Sequence, residues 1–170
     1  RDAGFKVSVV DANHFPAGFN NVAEEDKPYL AELLRQNIDR EHPGSEHVHL
    51  YPEAHTRNSG YVENLISLKE ILTLAGYVVS VGSPELSDYG SLDGLSGPLV
   101  IEFTAIDSDG ELNISGRGKP DLILLNNDLT AGVLPGLERD GVSPDPEMAL
   151  FFNYPKIHPL SKSARITQKK

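Results

Sequence analysis

The sequence contains no cysteine, so disulfide bonds and a cysteine nucleophile are excluded. No apolar run reaches the roughly 18 residues that a membrane-spanning helix needs. The first residues also lack the charged-then-apolar pattern of a secretory signal. We therefore expect a soluble protein of a reducing compartment, the cytoplasm.

Basic residues are in the minority, with 15 Lys and Arg against 25 Asp and Glu and a net charge of −10. This acidity argues against non-specific binding to nucleic acid or to anionic lipid. The exception is the segment 156–170, which carries five basic residues and no acid. Such a run is typical of a solvated linker or tail, and less often of an anion-binding strip.

Several common site motifs are missing. Residues 116–119 contain two glycines and a lysine but precede a predicted strand, so they indicate a turn rather than a phosphate-binding loop. No serine lies in a nucleophile-elbow pattern. His47 and His49 fall on one face of a predicted strand, where a site remains a minor alternative. Together with His14, His55 and Glu53 they make no spacing specific to zinc.

Hydrophobic periodicity predicts an α/β fold. A strand is predicted over about residues 5–9, and a helix after Asp26 with Leu30, Leu33, Leu34 and Ile38 on one face. A strand around Val48 and Leu50 is followed by a helix from Asn58 or Ser59 to Ala75 and by a strand over residues 77–81. Strand, helix and strand form a βαβ unit, whose strands we expect to be parallel.

The second half of the chain is less regular. Residues 85–98 are predicted to form a loop, and residues 99–105 and 111–115 a hairpin around Asp109-Gly110. The apolar run 122–125 is predicted to be a central strand. Short helices are predicted over about 130–138 and 145–152. The predicted architecture is a Rossmann-like, mostly parallel sheet with flanking helices and a hairpin insertion.

At 170 residues the chain suits one domain, which we place at residues 1–155, followed by a basic linker or tail at 156–170. The chain begins with Arg1 rather than Met and ends inside the basic run. We therefore expect it to be part of a longer protein.

A polar loop follows each of three predicted strands. If these strands are parallel neighbours, their loops meet at one edge of the sheet, where α/β proteins bind ligands. The candidate substrate-binding residues are Asp11, Asn13, Asn20, Asn21, Glu53, His55, Arg57, Asn58, Asn126, Asn127 and Asp128.

These residue types suit an amino acid, which presents an ammonium and a carboxylate group. Arg57 lies just before a helix, so its guanidinium and the first helix amides could bind one anion. Asp11 and Asp128 could hold the ammonium group. The alternatives remain open: Arg57 as a surface charge, the two Asp as caps or turn residues, and Asn20 and Asn21 as partners of their own backbone.

Three segments also carry a resemblance. The segments "VVDANHFPAGFNN" (9–21), "PEAHTRNSGYVENL" (52–65) and "LILLNNDLTAG" (122–132) resemble, in this order, the bacterial glutamate-cysteine ligase family, which is related to the ATP-grasp enzymes. The resemblance implies an enzyme that joins glutamate to cysteine through an acyl-phosphate, the first step of glutathione biosynthesis. It also implies ATP and Mg²⁺, bound mainly by a following domain outside these residues.

On this interpretation the segment helps to form the amino-acid substrate site and is inactive alone. Its partners would be the small-molecule substrates glutamate and cysteine, with no nucleic acid and no membrane, and the oligomeric state stays open. The alternatives are a noncatalytic α/β binding or interaction module, and a different carboxylate-amine ligase on the same scaffold.

Overall fold

A computed structural model describes residues 18–54, 57–127, 137 and 152–153 of the chain. Its helices and strands are α1 (Lys27–Glu41), β1 (His47–Pro52), α2 (Ser59–Leu74), β2 (Val78–Val81), β3 (Ser91–Asp93), β4 (Pro98–Val100), β5 (Thr104–Ile106), β6 (Leu112–Ile114), β7 (Leu122–Asn126) and β8 (Phe152–Asn153). The predicted strand at 5–9 and the boundary between residues 155 and 156 lie outside the described residues.

The main sheet has the strand order β2-β1-β7-β8. Strand β1 is parallel to β2 and to β7, with Leu50 opposite Val81 and Pro52 opposite Asn126. Strand β8 is antiparallel to β7. The prediction of an α/β fold with a parallel sheet is therefore confirmed, and β1 lies between two parallel neighbours.

Both faces of this sheet are covered. On one face Val48 and Leu50 belong to a core cluster with the apolar side of α2, and on the other Tyr51 packs with Leu112 of β6. Residues 122–125 of β7 contribute alternately to the two clusters, and all five residues of the strand are buried. Burial on both faces explains why its sequence is a continuous apolar run rather than an alternation.

Helix α2 forms where its periodicity predicts. The side chain of Asn58 caps it by accepting a hydrogen bond from the amide of Tyr61 at 3.1 Å. Gly76, with φ of 92°, follows its end in a left-handed conformation that other residues adopt only at a cost. Between these ends, Val62, Leu65 and Leu68 are among the residues that pack onto the sheet.

Helix α1 contains one error of prediction. Leu33, expected on the apolar face, is 43% exposed, whereas Ala31 and Ile38 are buried. Lys27 is also buried, and its ammonium group reaches Glu70 of α2 at 2.6 Å. Because α1 packs against α2 along the line of Lys27, Ala31 and Ile38, Leu33 lies to the side of the contact. Asp26 occupies the N-cap position, but its side chain makes no capping hydrogen bond.

The predicted loop at 85–98 is also partly wrong. It contains β3, which pairs with β4, and the end of a short 3-10 helix (Pro84–Leu86). The expected strand at 99–105 is divided between β4 and β5, and β5 forms the predicted hairpin with β6. The predicted helix at 145–152 is wrong at its last residue, because Phe152 lies in β8 and pairs with Ile123.

The division between β4 and β5 occurs where the chain covers the edge of β2. The amide of Glu102 donates to the carbonyl of Val81 at 2.9 Å, and the amide of Val81 donates to the Glu102 carboxylate at 2.8 Å. A Cβ atom on Gly82 would lie 2.4 Å from the carbonyl oxygen of Glu102 and 2.5 Å from Oγ1 of Thr104. Only glycine therefore permits this approach.

We expect Gly82→Ala to lower the free energy of unfolding by about 1–3 kcal/mol, because the added methyl group meets backbone that cannot move aside alone. Urea unfolding followed by circular dichroism measures the change. Gly90→Ala is the matched control, since its Cβ would have nothing within 4 Å. Equal stability of the two variants would contradict the proposed close approach.

Candidate functional site

The carboxyl ends of β1 and β7 lie side by side. Pro52, the last residue of β1, is opposite Asn126, the last residue of β7. The side-chain amide of Asn127 donates to the carbonyl of Pro52 at 3.4 Å. The loop after β1 and the loop after β7 therefore begin at the same edge of the sheet.

Tyr61, in the first turn of α2, joins these two strand ends. Its hydroxyl group accepts a hydrogen bond from the amide of Glu53 at 2.8 Å and donates one to the carbonyl of Asn126 at 2.7 Å. One phenol thus serves a backbone donor just after β1 and a backbone acceptor at the last residue of β7.

Asn64, one turn further along α2, reaches a third segment. Its side-chain oxygen accepts from the amide of Phe19 at 2.9 Å, and its amino group lies 3.5 Å from the side-chain oxygen of Asn126. Phe19 begins the short 3-10 helix Phe19–Asn21 that follows the first polar loop. Asn64 is only 4% exposed, so these contacts satisfy a buried amide.

We call Asn58, Tyr61 and Asn64 the polar stripe of α2, because they recur at a spacing of three along the helix. Of these three residues, only Asn58 was predicted from the sequence as a site residue. Tyr61 and Asn64 could have been found only as polar groups within an apolar helix pattern. Asn64, for example, lies between the apolar residues Val62 and Leu65.

The predicted site residues are distributed as follows. Asn20 and Asn21 are exposed, immediately beyond the Phe19 amide that Asn64 binds. Arg57 is exposed, as is Asn58, whose carboxamide caps α2. The contacts of Tyr61 and Pro52 bring together Glu53, Asn126 and Asn127, from the loops after β1 and β7. Asp11, Asn13, His55 and Asp128 lie outside the described residues.

The edge also carries charge of both signs. Glu53 directly follows β1 and is only 9% exposed, while the exposed Arg57 follows four residues later. A carboxylate suits an ammonium group, and a guanidinium suits a carboxylate. The arrangement can therefore bind a small zwitterion.

A second acid lies beyond the end of β2. The hydroxyl group of the fully buried Tyr51 donates to the Glu85 carboxylate at 3.4 Å. Burial and the negative charge of Glu85 raise the pKa of Tyr51, which therefore stays a neutral donor. Ser83 lies between the end of β2 and Glu85 in the sequence and is fully buried. Its hydroxyl has no hydrogen-bond partner among the described residues.

The histidines of β1 form a hydrogen-bond chain with Ser80 of β2. Nε2 of His49 lies 2.9 Å from the carbonyl of Gly82, which can only accept, so this nitrogen carries the proton. Nδ1 of His49 then accepts from the Ser80 hydroxyl at 2.7 Å, and Ser80 accepts from Nε2 of His47 at 2.7 Å. In the described part of the chain, no group of three or more His, Cys, Asp or Glu could hold a metal ion.

We expect the chain to lose stability in acid because of His49. Burial lowers the pKa of His49 from 6.5 to about 3. Between these values the unfolded state binds a proton that the folded state excludes, so stability is lost as the pH falls below 6.5. One such group contributes up to about 1.4 kcal/mol per pH unit.

Urea unfolding between pH 6.5 and 4.5 measures this slope. His49→Gln should flatten it, whereas His47→Gln should flatten it less, because His47 is only half-buried and its pKa is lowered by burial and by the nearby Arg117. An unchanged slope in His49→Gln would contradict the assignment of the acid sensitivity to this imidazole.

The fold is that of an α/β protein in which polar loops follow the carboxyl ends of the parallel strands β1 and β7. The sequence profile of the glutamate-cysteine ligase family (GshA) matches residues 1–148, and the chain belongs to this family.

A solved structure supports the same relationship. It is the 1.90 Å crystal structure of a candidate gamma-glutamylcysteine synthetase from Methylobacillus flagellatus KT, with 31% sequence identity and a TM-score of 0.68. The match covers 88% of this chain but 33% of that protein, so this chain spans about a third of its relative's length. No curated protein matches the chain.

Proposed function

We propose that the protein to which this chain belongs is an ATP-dependent ligase. It joins the γ-carboxyl group of glutamate to the amine of cysteine, the first step of glutathione biosynthesis, and it acts in the cytoplasm. This chain contributes part of the amino-acid substrate site. Membership of the glutamate-cysteine ligase family supports the reaction. The single observation that supports the site is the meeting of the loops after β1 and β7 around Tyr61.

In the proposed site Glu53 binds the ammonium group of an amino acid. Glu53 is only 9% exposed, and removal from water strengthens an ion pair relative to one on an open surface. The amides of Asn127 and of the exposed Asn20 and Asn21 add hydrogen bonds to the polar groups of the substrate. Asp11 and Asp128 are proposed as further acids.

Arg57 binds the substrate carboxylate. It lies two residues before the first residue of α2, a helix of 16 residues. The first amides of an α-helix have no partner within the helix, and the helix dipole favours an anion at this end. A guanidinium at the same place adds a charge-assisted hydrogen bond.

The role of this chain in the reaction is positioning. Holding the amino acid in a fixed orientation removes much of the entropic part of the barrier to forming the amide bond. ATP and Mg²⁺ would supply the acyl-phosphate chemistry. The described residues do not suit them: they contain no metal-binding cluster and no glycine-rich phosphate loop between a strand and a helix. We propose that other parts of the protein bind both.

None of the described helices is long and apolar enough to cross a membrane. The partners proposed for the chain are glutamate, cysteine and a nucleotide-binding domain of the same protein. The chain on its own is proposed to be inactive.

Arg57→Ala in the full-length protein tests the site. Loss of a charge-assisted hydrogen bond should raise the KM for one amino-acid substrate by about 10- to 100-fold. The thermal midpoint should change little, because Arg57 is exposed. Steady-state kinetics with glutamate and cysteine varied in turn, read as ADP release and γ-glutamylcysteine formation, give the two KM values.

Arg40→Ala is the matched control, since Arg40 is an exposed arginine of α1 that contacts only its neighbours Glu41 and Asn37 in the described structure. An unchanged KM in Arg57→Ala would remove Arg57 from the site. A full-length protein that binds amino acids but releases no ADP would favour a noncatalytic binding module. ADP release with other amino acids would indicate a different ligase.

A further inference from the structure

The polar stripe of α2 is unusual in its choice of partners. The rest of the buried face of this helix is mainly apolar and packs on the sheet. Tyr61 and Asn64 instead direct their polar groups to the strand ends and to the segment at Phe19. A leucine at position 64 would bury apolar surface without needing any partner, so packing alone does not explain an asparagine there.

The contacts of the stripe join three segments that are distant in the sequence. Asn64 binds Phe19 across 45 positions and Asn126 across 62, and Tyr61 binds Asn126 across 65. Tyr61 also holds Glu53, the first residue after β1. One turn of the helix therefore contacts the segment at Phe19, the first residue after β1 and the last residue of β7.

We propose that Tyr61 and Asn64 are positioning residues for the amino-acid site. They do not touch the substrate; they hold the segment at Phe19, the amide of Glu53 and the end of β7 in one register, and this register determines substrate affinity. The inference rests on the proposed function, because it specifies how the same site is kept assembled.

The reason is geometric. A substrate that contacts residues of all three loops binds well only if these loops keep fixed distances, and a displacement of about 1 Å can cost up to a hundredfold in rate. Contacts through backbone groups transmit position directly, and the stripe reaches these segments through the amides of Phe19 and Glu53 and the carbonyl of Asn126.

The test uses the full-length protein with Asn64→Leu and Tyr61→Phe. Asn64→Leu removes both hydrogen bonds of the amide, and Tyr61→Phe removes the phenol that serves Glu53 and Asn126. Each should raise the KM for an amino-acid substrate by about five- to tenfold, because the loops it holds lose their fixed positions, with a smaller change in kcat. Because the two residues act on one assembly, the double variant should show less than the product of the single effects.

Two controls separate positioning from general stability. Ser67→Ala alters a buried polar residue one turn further along α2, and Tyr77→Phe removes a phenol that donates to Asp39 of α1 at 3.2 Å, away from the strand ends. Both should leave the KM values unchanged. Asn64→Asp keeps an acceptor for the Phe19 amide and should retain more affinity than Asn64→Leu.

Hydrogen exchange gives a readout that does not depend on catalysis. The amide of Phe19 should exchange faster in Asn64→Leu, and the amide of Glu53 faster in Tyr61→Phe, with neither change in the controls. Unchanged exchange at these amides would overturn the inference, as would unchanged KM values with only a lower thermal midpoint. If the wild-type protein forms no γ-glutamylcysteine, the proposed function fails. The positioning role of Tyr61 and Asn64 is then tested without catalysis, by the exchange rates and by calorimetric binding of glutamate and cysteine to the same variants.

Discussion

The hydroxyl group of Tyr61 holds together the carboxyl ends of two parallel strands, and the geometry of the candidate site depends on it. Where β1 and β7 end, this hydroxyl accepts a hydrogen bond from the backbone amide of Glu53 and donates one to the carbonyl of Asn126. A phenol can donate and accept at once, so a single side chain satisfies both groups. Helix α2 is thereby tied to the edge that the polar loops share, and not only to the apolar face of the sheet.

The same requirement, that buried polar groups find partners, shapes the rest of the sheet. On the face opposite α2, His49 and Ser80 satisfy each other and the carbonyl of Gly82. At the edge formed by β2, the Glu102 carboxylate accepts a hydrogen bond from the amide of Val81. An exposed edge amide invites association with other chains, and this side chain covers it.

Much of the fold could be predicted from the sequence, but much less of the site. Helix α2 was predictable almost to the residue, because Asn58, the apolar repeat and Gly76 act within a few turns of chain. Strand β3 was not, since three residues with one buried side chain carry no clear period. Leu33 was misplaced because periodicity defines a helix face but not which part of it a neighbour covers. The sequence showed Asn64 only as a polar residue within the apolar pattern of α2. Its partners Phe19 and Asn126 could not be predicted.

The α/β class, the βαβ unit and the position of polar loops after apolar strands follow from the order of residues along the chain. These features depend on backbone preference and hydrophobic period, which act between residues close in the chain. The tertiary structure decided the order β2-β1-β7, the tautomer of His49 and the meeting of Phe19, Glu53 and Asn126 around two side chains of α2. These depend on which surfaces are buried together and on which distant groups then remain to be hydrogen-bonded, and no local pattern of residues encodes that choice.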